Sequence, residues 1–191
     1  MRTGPHSGGA GAPPLFTLSG PFSVGMIWAE SANGVIGAEG TLAWHIPEDL
    51  AHFRAVTRGY AVLHGRASYE SIPAKFRPLP GRRNLVLTRD RDYCAPGAEV
   101  VHSLAEAEDL LAGAPVWVLG GGQVYEAAMT RADALVVTEV DLEVPGDTYA
   151  PAIDAQAWQQ QQVTAWITSS TGIAFRILEY RRRGWPVKTI N

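Results

Sequence analysis

The chain has 191 residues, of which 46% are apolar and 18% are charged, and this balance predicts one compact domain with a sizeable core. A formal net charge of -3 argues against a broad nucleic-acid-binding face, which needs clustered lysine and arginine. The single cysteine, Cys94, excludes an internal disulfide and fits a reducing cytosol. We therefore expect a cytoplasmic monomer whose partners are small molecules or proteins and not nucleic acids.

Composition also divides the chain into three parts. Residues 1–22 are interrupted by Gly and Pro and contain no unbroken apolar segment, so they predict a disordered arm and not a signal peptide. Residues 23–183 carry the patterned sequence of the predicted domain, and residues 184–191 predict a loose tail. Because no apolar run reaches the length of a membrane-spanning helix, we expect no membrane attachment.

The domain opens with a strand, a glycine-rich connection and a helix. The run "SVGMIWAE" (23–30) has the length of a buried strand, and residues 31–44 predict a long, mobile connection. Pro47 suits the first helical position and Gly59 suits the position after a helix, so 47–58 is predicted helical. Its predicted inner face consists of Leu50, Phe53 and Val56.

Apolar runs then alternate with helical segments. Runs without polar interruption predict strands that are covered on both faces, as in a parallel sheet. These runs are 60–64, 84–88, 116–119 and 134–140. Between them we predict a short helix capped by Ser68, a helix opened by the capping box Ser103 to Glu106, and a helix after three glycines.

The last third of the chain departs from this alternation. Segments 163–170 and 173–182 flank Thr171 and Gly172, which predicts an antiparallel hairpin. The predicted fold class is therefore α/β, a single domain with a mostly parallel, mixed sheet, flanking helices and a C-terminal antiparallel hairpin.

Asp49 is the first candidate for chemistry. It falls at the third helical position, where a carboxylate stabilises the helix dipole, and this structural role is common. It also shares a face with Phe53, four residues on, beside Leu50. A carboxylate turned toward such neighbours is desolvated, which raises its pKa and usually marks a functional site. Both interpretations remain open from the residues alone.

Three strand ends carry residues that suit a phosphorylated cofactor. The turn "VLGGGQVYE" (118–126) offers glycines and helix N–H groups to phosphate, although such a turn is often only structural. Arg66 follows one predicted strand, and Thr88 and Arg89 follow another. Ligands of open α/β sheets bind at the carboxyl ends of strands, which favours a binding role over ordinary solvated charges. Arg82, in "RPLPGRRN", can bind a carboxylate or belong to a surface turn.

Nine collinear blocks resemble dihydrofolate reductase, particularly the bacterial type. They run from residue 27 to 182 and read "IWAES.NGVIG", "W.IPEDLAHF", "GR.S", "RPLPGRRN", "LT", "LGGGQVYE", "TEV", "GDT" and "FRILEYRR". The resemblance implies an eight-stranded mixed sheet and NADPH-dependent reduction of 7,8-dihydrofolate to tetrahydrofolate. It also implies that antifolate-like molecules bind the same site.

The resemblance assigns roles to individual residues. Asp49 matches the acid that binds the pterin and promotes N5 protonation, and Thr138 matches the hydroxyl that is bonded to that acid. Trp44 matches the indole that holds a water molecule. Leu42 matches the tip of a lid that residues 31–44 form. Asp147 matches the residue that latches this lid. The implied substrate-binding residues are Ile27, Trp28, Asp49, Leu50, Phe53, Ile72, Arg82, Leu119, Tyr125 and Thr138. The implied cofactor-binding residues are Ala29, Ile36, Gly65, Arg66, Ser68, Leu87, Thr88, Arg89, Leu119, Gly121, Gly122, Gln123, Val124 and Tyr125. The family's turn at Gly120 also has a cis first peptide.

Five residues depart from the usual pattern of that family, and two other functions stay open. Ala43 replaces a proline, and His64, Ala67, Ser68 and Tyr69 lie on the nucleotide side. A reductase of the riboflavin pathway type shares the fold, and a divergent relative could bind nucleotide or folate without turnover. Turnover of dihydrofolate with NADPH separates the three functions.

Overall fold

The computed structural model describes residues 23–38, 40 and 43–184, and they form one α/β unit with a large central sheet. The predicted arm (1–22), residue Leu42 and most of the predicted tail (185–191) lie outside the described residues. The strands are β1 Val24–Ser31, β2 Val35–Gly37, β3 Ala61–Gly65, β4 Arg83–Leu87, β5 Glu99–Val101, β6 Val116–Val118, β7 Ala134–Val140, β8 Thr148–Tyr149, β9 Trp158–Val163, β10 Ile167–Thr168 and β11 Ala174–Arg182. The helices are α1 Pro47–Thr57, α2 Arg66–Ser71, α3 Leu104–Leu111 and α4 Gly122–Met129, with a 3-10 turn at Ala74–Phe76.

The central sheet has the strand order β10-β11-β7-β1-β6-β3-β4-β5, and β9 also pairs with β11. The pairs from β7 through β1, β6, β3 and β4 to β5 are parallel, whereas β11 is antiparallel to β7, β9 and β10. β9 and β10 lie along the same side of β11, so together they occupy one strand position at the edge of the sheet. Counted in this way the sheet has eight strand positions, and the predicted mostly parallel, mixed sheet is confirmed.

Successive residues of β1 pack on opposite sides of the sheet. Met26 and Trp28 belong to a core cluster that includes residues of α3 and α4, while Ile27 belongs to a second cluster that the residues of α1 pack against. The sheet is therefore covered on both faces, which explains why its strands are continuous apolar runs. In β7, every residue except Glu139 is buried.

Two local predictions were wrong. The short helix begins at Arg66 with Gly65 at its N-cap, so Ser68 lies inside the helix and does not cap it. Leu50 is 39% exposed and does not belong to the inner face of α1, whose buried residues are His52 and Thr57. The reason is geometric, since Leu50 lies about 100° round the helix from Asp49, away from the sheet.

Four strands were not predicted from the sequence. β2 lies within the segment read as a glycine-rich connection, and it pairs with β8. β5 has only three residues, and β9 has four glutamines between Trp158 and Val163. Short or polar strands have no apolar signal of their own. β5 and β9 form along the longer strands β4 and β11, whereas β2 and β8 form by pairing with each other. Among the described residues, the helices are too short or too polar to cross a bilayer.

Candidate active site

A hydrogen bond joins the first turn of α1 to the middle of β7. The Thr138 hydroxyl donates to Asp49 Oδ1 over 2.6 Å. Burial raises the pKa of the Asp49 carboxyl to about 6, and the hydrogen bond from Thr138 opposes that rise. The carboxylate is thus held in place by a neutral donor, and no cation of the described residues forms an ion pair with it. It can gain or lose a proton near neutral pH.

The position of this pair follows from the sheet. Thr138 is 2% exposed and lies opposite Ala29 of β1 in the parallel pairing. Pro47 starts α1 without a donor of its own, and the chain enters the helix from the extended residue Ile46, which is also buried. The N-terminus of α1 is thus anchored over β7, and this places the Asp49 carboxylate beside the Thr138 hydroxyl.

Tyr125 fixes the backbone of β1 beside this pair. Its hydroxyl donates to the Ile27 carbonyl oxygen over 2.6 Å, and its ring lies 5.4 Å from that of Trp28. Burial raises the pKa of the Tyr125 phenol, so it remains a donor at any physiological pH. A Cβ added at Gly120 would lie 3.0 Å from the Tyr125 ring, so the glycine permits close approach of turn and ring.

The three-glycine turn leads from β6 into α4. The Gly120–Gly121 peptide is cis, as the family resemblance implied, and the Gly65 N–H donates to the Gly120 carbonyl oxygen over 2.6 Å. Gly121 is the N-cap of α4. A Cβ added at Gly121 would meet no atom within 4 Å among the described residues, so open space lies in front of the turn. Backbone N–H groups at the start of α4 suit an anion placed there.

Arg66 lies beside two carboxylates at the carboxyl end of β3. Its guanidinium bonds Glu70 at 3.1 Å and Asp90 at 2.8 Å, and it stacks 4.5 Å from the Tyr93 ring. Thr88 Oγ1 accepts a hydrogen bond from the Asp90 backbone N–H over 3.2 Å. The predicted phosphate-facing residues therefore share one edge of the sheet, but carboxylates oppose the charge of Arg66.

Arg82 is held against α1 by three contacts. Its guanidinium donates to Thr57 Oγ1 over 3.3 Å and to the Pro80 carbonyl oxygen over 3.1 Å, and it lies 5.7 Å from the centre of the Phe53 ring. Partial burial lowers its pKa, and the nearby positive charges of Arg54 and Arg58 act in the same direction. This guanidinium is therefore available for an external carboxylate.

The loop that carries Arg82 is tied down by one buried side chain. Asn84 donates to the carbonyl oxygens of Leu79 and Arg82 over 2.9 Å each, and its Oδ1 accepts from the Leu79 N–H over 2.9 Å. These bonds use both donors of the amide. The position of the guanidinium is thereby set from β4.

A family model described as dihydrofolate reductase matches residues 23–182, which is nearly all of the described chain. The chain belongs to the dihydrofolate reductase family. Members of this family are NADPH-dependent oxidoreductases that reduce dihydrofolate.

Curated relatives and a solved structure agree with this membership. A dihydrofolate reductase of Mycobacterium tuberculosis is 48% identical over 162 residues, covering 83% of this chain and 98% of the relative. One from Neisseria meningitidis serogroup A is 47% identical over 158 residues, covering 82% and 96%. The structure of Enterococcus faecalis dihydrofolate reductase complexed with NADP(H) and RAB-propyl is similar with a TM-score of 0.76 and 33% identity, covering 84% of this chain and 96% of that one.

The sheet edge of this dihydrofolate reductase family member has room and donors for a dinucleotide. The open space before Gly121 and the amino end of α4 lie after β6, and the hydroxyl of Thr88 lies after β4; both strands are parallel to β3, which lies between them. Ser68 donates to the Leu119 carbonyl oxygen over 3.4 Å, which joins α2 to the end of β6. NADPH fits this donor set, since its phosphates need backbone donors, hydroxyls and cations.

The remaining residues that the family resemblance assigns to the site differ in their exposure. Trp44, Phe53 and Leu119 are half-buried against the second core cluster. Ala29, Ile36, Ile72, Leu87 and Val124 are half-buried, Gln123 and Arg89 are exposed, and Leu50 is exposed as described above. The backbone N–H of Asp147 donates to the Gly37 carbonyl oxygen over 3.2 Å, which links it to the segment predicted to be a lid.

Sequence reasoning missed three residues that shape this site. Thr57 and Asn84 position Arg82, and His102 lies at the end of β5, next to Thr88. Of these three residues, only His102 was marked by a sequence pattern, because it directly precedes the predicted capping box at Ser103. In the described residues, we find no group of His, Cys, Asp or Glu that could hold a metal ion.

Proposed function

We propose that this chain catalyses the NADPH-dependent reduction of 7,8-dihydrofolate to 5,6,7,8-tetrahydrofolate by hydride transfer to pterin C6, with N5 protonation assisted by Asp49. The observation that carries this proposal is the Asp49–Thr138 pair, a desolvated carboxyl group with a pKa raised to about 6. A general acid–base group is most effective when its pKa lies near the working pH. Family membership supplies the substrate class.

The ionised Asp49 carboxylate has two acceptor oxygens, of which one already accepts from Thr138. The other can accept from the 2-amino and N3 groups of a pterin, which present two donors on one edge. The Ile27 carbonyl oxygen, within β1, and the Leu119 carbonyl oxygen, directly after β6, would be further acceptors for the pterin or the carboxamide. Phe53 and Ile72 would form the wall along the aminobenzoate, and Arg82 would bind the α-carboxylate of the glutamate.

Proton delivery follows from the same geometry. Asp49 is half-buried, so its carboxyl group would be accessible to water, and Trp44 would hold a water molecule beside the pterin. A negative charge at Asp49 favours protonation of N5 in the bound pterin, because the two opposite charges lie in a poorly solvated site. Exclusion of bulk water by the segment 31–44 would strengthen this effect.

NADPH, when bound, supplies the hydride. The turn at Gly120–Gly122 would receive its pyrophosphate, and Tyr125 holds the neighbouring β1 backbone in place. Arg66, Ser68, Thr88 and Arg89 would face its other phosphate groups. The bond between Asp147 and Gly37 supports a role for Asp147 in fixing the lid.

We further propose that the chain is a cytoplasmic monomer and that it binds antifolate-like molecules at the pterin site. The complex of the Enterococcus faecalis relative with RAB-propyl supports the second point. Size-exclusion chromatography with light scattering tests the first, and competition of such a compound with dihydrofolate tests the second.

The decisive experiment is steady-state oxidation of NADPH and NADH at 340 nm with dihydrofolate. Turnover with a preference for NADPH supports the proposal, and Asp49→Asn should lose most activity at neutral pH. Reduction of a ribosylated pyrimidine instead would favour the riboflavin-pathway alternative. Tight NADPH binding without turnover of either substrate would favour a binding protein.

A further inference from the structure

Glu30 lies two residues after Trp28 on β1, so both side chains project from the same face of the sheet. The Trp28 indole Nε1–H donates to Glu30 Oε2 over 2.7 Å. Trp28 is buried and Glu30 is half-buried, so the carboxylate holds a core ring from its outer end. A bond of this length to an ionised acid is a charge-assisted hydrogen bond, which is stronger than a bond between neutral groups.

The position of Glu30 is costly for a carboxylate. Burial raises its pKa, the hydrogen bond from Trp28 lowers it, and the negative charge of Glu139, opposite on β7, raises it further. Arg176 of β11 pairs with Glu139 at 2.5 Å, and no cation of the described residues forms an ion pair with Glu30. Tyr180 of β11 faces the same group, since burial and the charges of both acids raise the pKa of its phenol. The Trp28 indole therefore offsets part of the cost of burying this acid.

The Trp28 ring carries this restraint toward the candidate active site. Its centre lies 5.4 Å from the centre of the Tyr125 ring, and the two ring planes are inclined by 53°. Both rings belong to the same close-packed core cluster, where one ring can shift only if its neighbours shift as well. The Tyr125 hydroxyl in turn donates to the Ile27 carbonyl oxygen over 2.6 Å. Three consecutive contacts thus connect the Glu30 carboxylate to a proposed acceptor of the site.

The Tyr125 ring also lies against the turn that is proposed to receive the cofactor. A Cβ added at Gly120 would lie 3.0 Å from this ring, so the phenol fills the space between the turn and β1. A rotation of the ring would break its bond to Ile27 and change its contact with the turn together. A ligand ring that is bound at this place therefore depends on the phenol keeping one orientation.

We propose that Glu30 is a positioning residue for the nicotinamide half of the cofactor and that it acts through Trp28 on Tyr125. The inference rests on the proposed function for the location of the nicotinamide, beside Tyr125 and the Ile27 carbonyl oxygen. Glu30 itself touches no ligand. Its carboxylate fixes the indole, the indole fixes the phenol, and the phenol keeps the Ile27 carbonyl in the orientation that the carboxamide requires.

The test compares the binding of NADPH with that of 2′,5′-ADP, which has no nicotinamide, by isothermal titration calorimetry at neutral pH. Glu30→Leu removes the acceptor of the indole, so it should weaken NADPH binding by roughly threefold to tenfold, the scale of one hydrogen bond. Binding of 2′,5′-ADP should be unchanged, which also shows that the variant is folded. Glu30→Gln keeps an acceptor oxygen for the indole and should restore most of the affinity for NADPH.

Two further measurements separate positioning from a merely structural role. In the Tyr125→Phe background, Glu30→Leu should cause little further loss of NADPH affinity, because the bond that Glu30 is proposed to preserve is already absent. In NMR spectra, the indole N–H resonance that is missing from Trp28→Phe should titrate with a midpoint above 4.5, the ordinary value for glutamate. Glu30→Gln should abolish that titration.

Glu139→Gln is the matched control, because it neutralises the half-buried acid opposite Glu30 on the neighbouring strand. This variant should leave the affinity for both probes unchanged. It should also lower the midpoint of the indole titration, since it removes the like charge that raises the pKa of Glu30.

Equal NADPH affinity of Glu30→Leu and the unaltered chain would overturn the proposal. An equal loss for both probes, or additive losses with Tyr125→Phe, would also overturn it, because Glu30 would then act on the fold as a whole. Failure of the unaltered chain to bind NADPH would remove this proposal and the proposed cofactor site together. A chain that shows the Glu30 effect on NADPH binding but does not reduce dihydrofolate would leave the inference standing and remove the proposed reaction.

Discussion

Thr138 and Asp49 are 89 positions apart in the chain, yet the hydroxyl of one donates to the carboxylate of the other over 2.6 Å. Their contact ties a helix N-terminus to the centre of the sheet. It also opposes the rise in pKa that burial imposes on the acid. The hydrogen bond from Thr138 therefore stabilises the Asp49 carboxyl group, and the proposed chemistry requires this same group to be desolvated.

Replacement of Asp49 by asparagine should raise stability at neutral pH. The pKa of Asp49 in the folded chain is about 6, above its ordinary value of 3.8, so the folded state binds its proton more tightly than the unfolded state. The stability that the protonated acid contributes is present below pH 4 and is lost as the pH rises through 6. Urea unfolding of Asp49→Asn and the unaltered chain should diverge over this range, by up to about 3 kcal/mol at pH 8.

Glu48 provides the matched control for this prediction. Its carboxylate accepts a hydrogen bond from the Ser170 backbone N–H over 2.8 Å, and the contacts with Ser170 lower its pKa. Glu48→Gln should therefore change stability in the opposite direction with pH and leave turnover intact. Equal stability of Asp49→Asn and the unaltered chain at pH 5 and pH 8 would show that Asp49 is not desolvated.

Thr138→Val should move the pH dependence of activity to higher pH. Valine keeps the shape of threonine but removes the donor that opposes the rise in the pKa of Asp49. The carboxyl group would then hold its proton to a higher pH, and the midpoint of the kcat/KM profile that depends on its ionisation should shift upward. An unchanged midpoint, measured between pH 5 and 9, would place the activity-controlling ionisation elsewhere.

Arg82→Ala should raise KM for dihydrofolate by roughly tenfold to a hundredfold, the range of one lost charge-assisted hydrogen-bonded pair. A reduced pterin without the glutamate tail should keep its KM, because it has no carboxylate for this guanidinium. Arg83→Ala is the control, since the Arg83 guanidinium pairs with Glu99 at 2.6 Å on a neighbouring strand. Equal losses for both substrates would exclude a tail-binding role for Arg82.

Gly121→Ala should preserve the fold and weaken NADPH binding. The added methyl group would meet no described atom within 4 Å, and the φ of -78° at this residue suits alanine. The methyl group would occupy space proposed for the pyrophosphate, so we expect the Kd for NADPH to rise at least about tenfold. Thermal unfolding and fluorescence titration measure the two effects separately.

A second glycine gives the contrasting outcome. A Cβ at Gly25 would lie 2.6 Å from the buried Trp117 ring, so Gly25→Ala should destabilise the fold by about 2 kcal/mol. Nucleotide affinity of the molecules that remain folded should be unchanged. If Gly121→Ala instead lost stability and kept its affinity for NADPH, the space before the turn would not be a ligand site.

The parallel part of the sheet was predictable because each strand that is buried on both faces is a continuous apolar run in the sequence. β7 is buried on both faces, and its residues form an uninterrupted apolar run up to Thr138. β5 has three residues and β9 has four glutamines, so neither forms such a run. Their strand structure is imposed by β4 and β11, which no local pattern reveals.

The site was predictable in part. Strand ends identified Arg66, Thr88 and the glycine turn from the residues alone, because parallel strands gather their carboxyl ends on one edge. The partner of Asp49 came only from the family resemblance, since a contact across 89 positions has no local signature. The engagement of Arg66 by Glu70 and Asp90 was missed because the charges of a cluster depend on loop conformation.

β11 supplies none of the proposed ligand contacts, yet it covers β7 from Val140 to Ala134, with Ile177 opposite Thr138. A nascent chain on the ribosome cannot complete this pairing until β11 has left the exit tunnel. Before then, the strand that carries Thr138 has an open edge that can recruit strands from other molecules. Truncations that spare every proposed catalytic residue but remove β11 should therefore yield aggregates and not weakened enzymes.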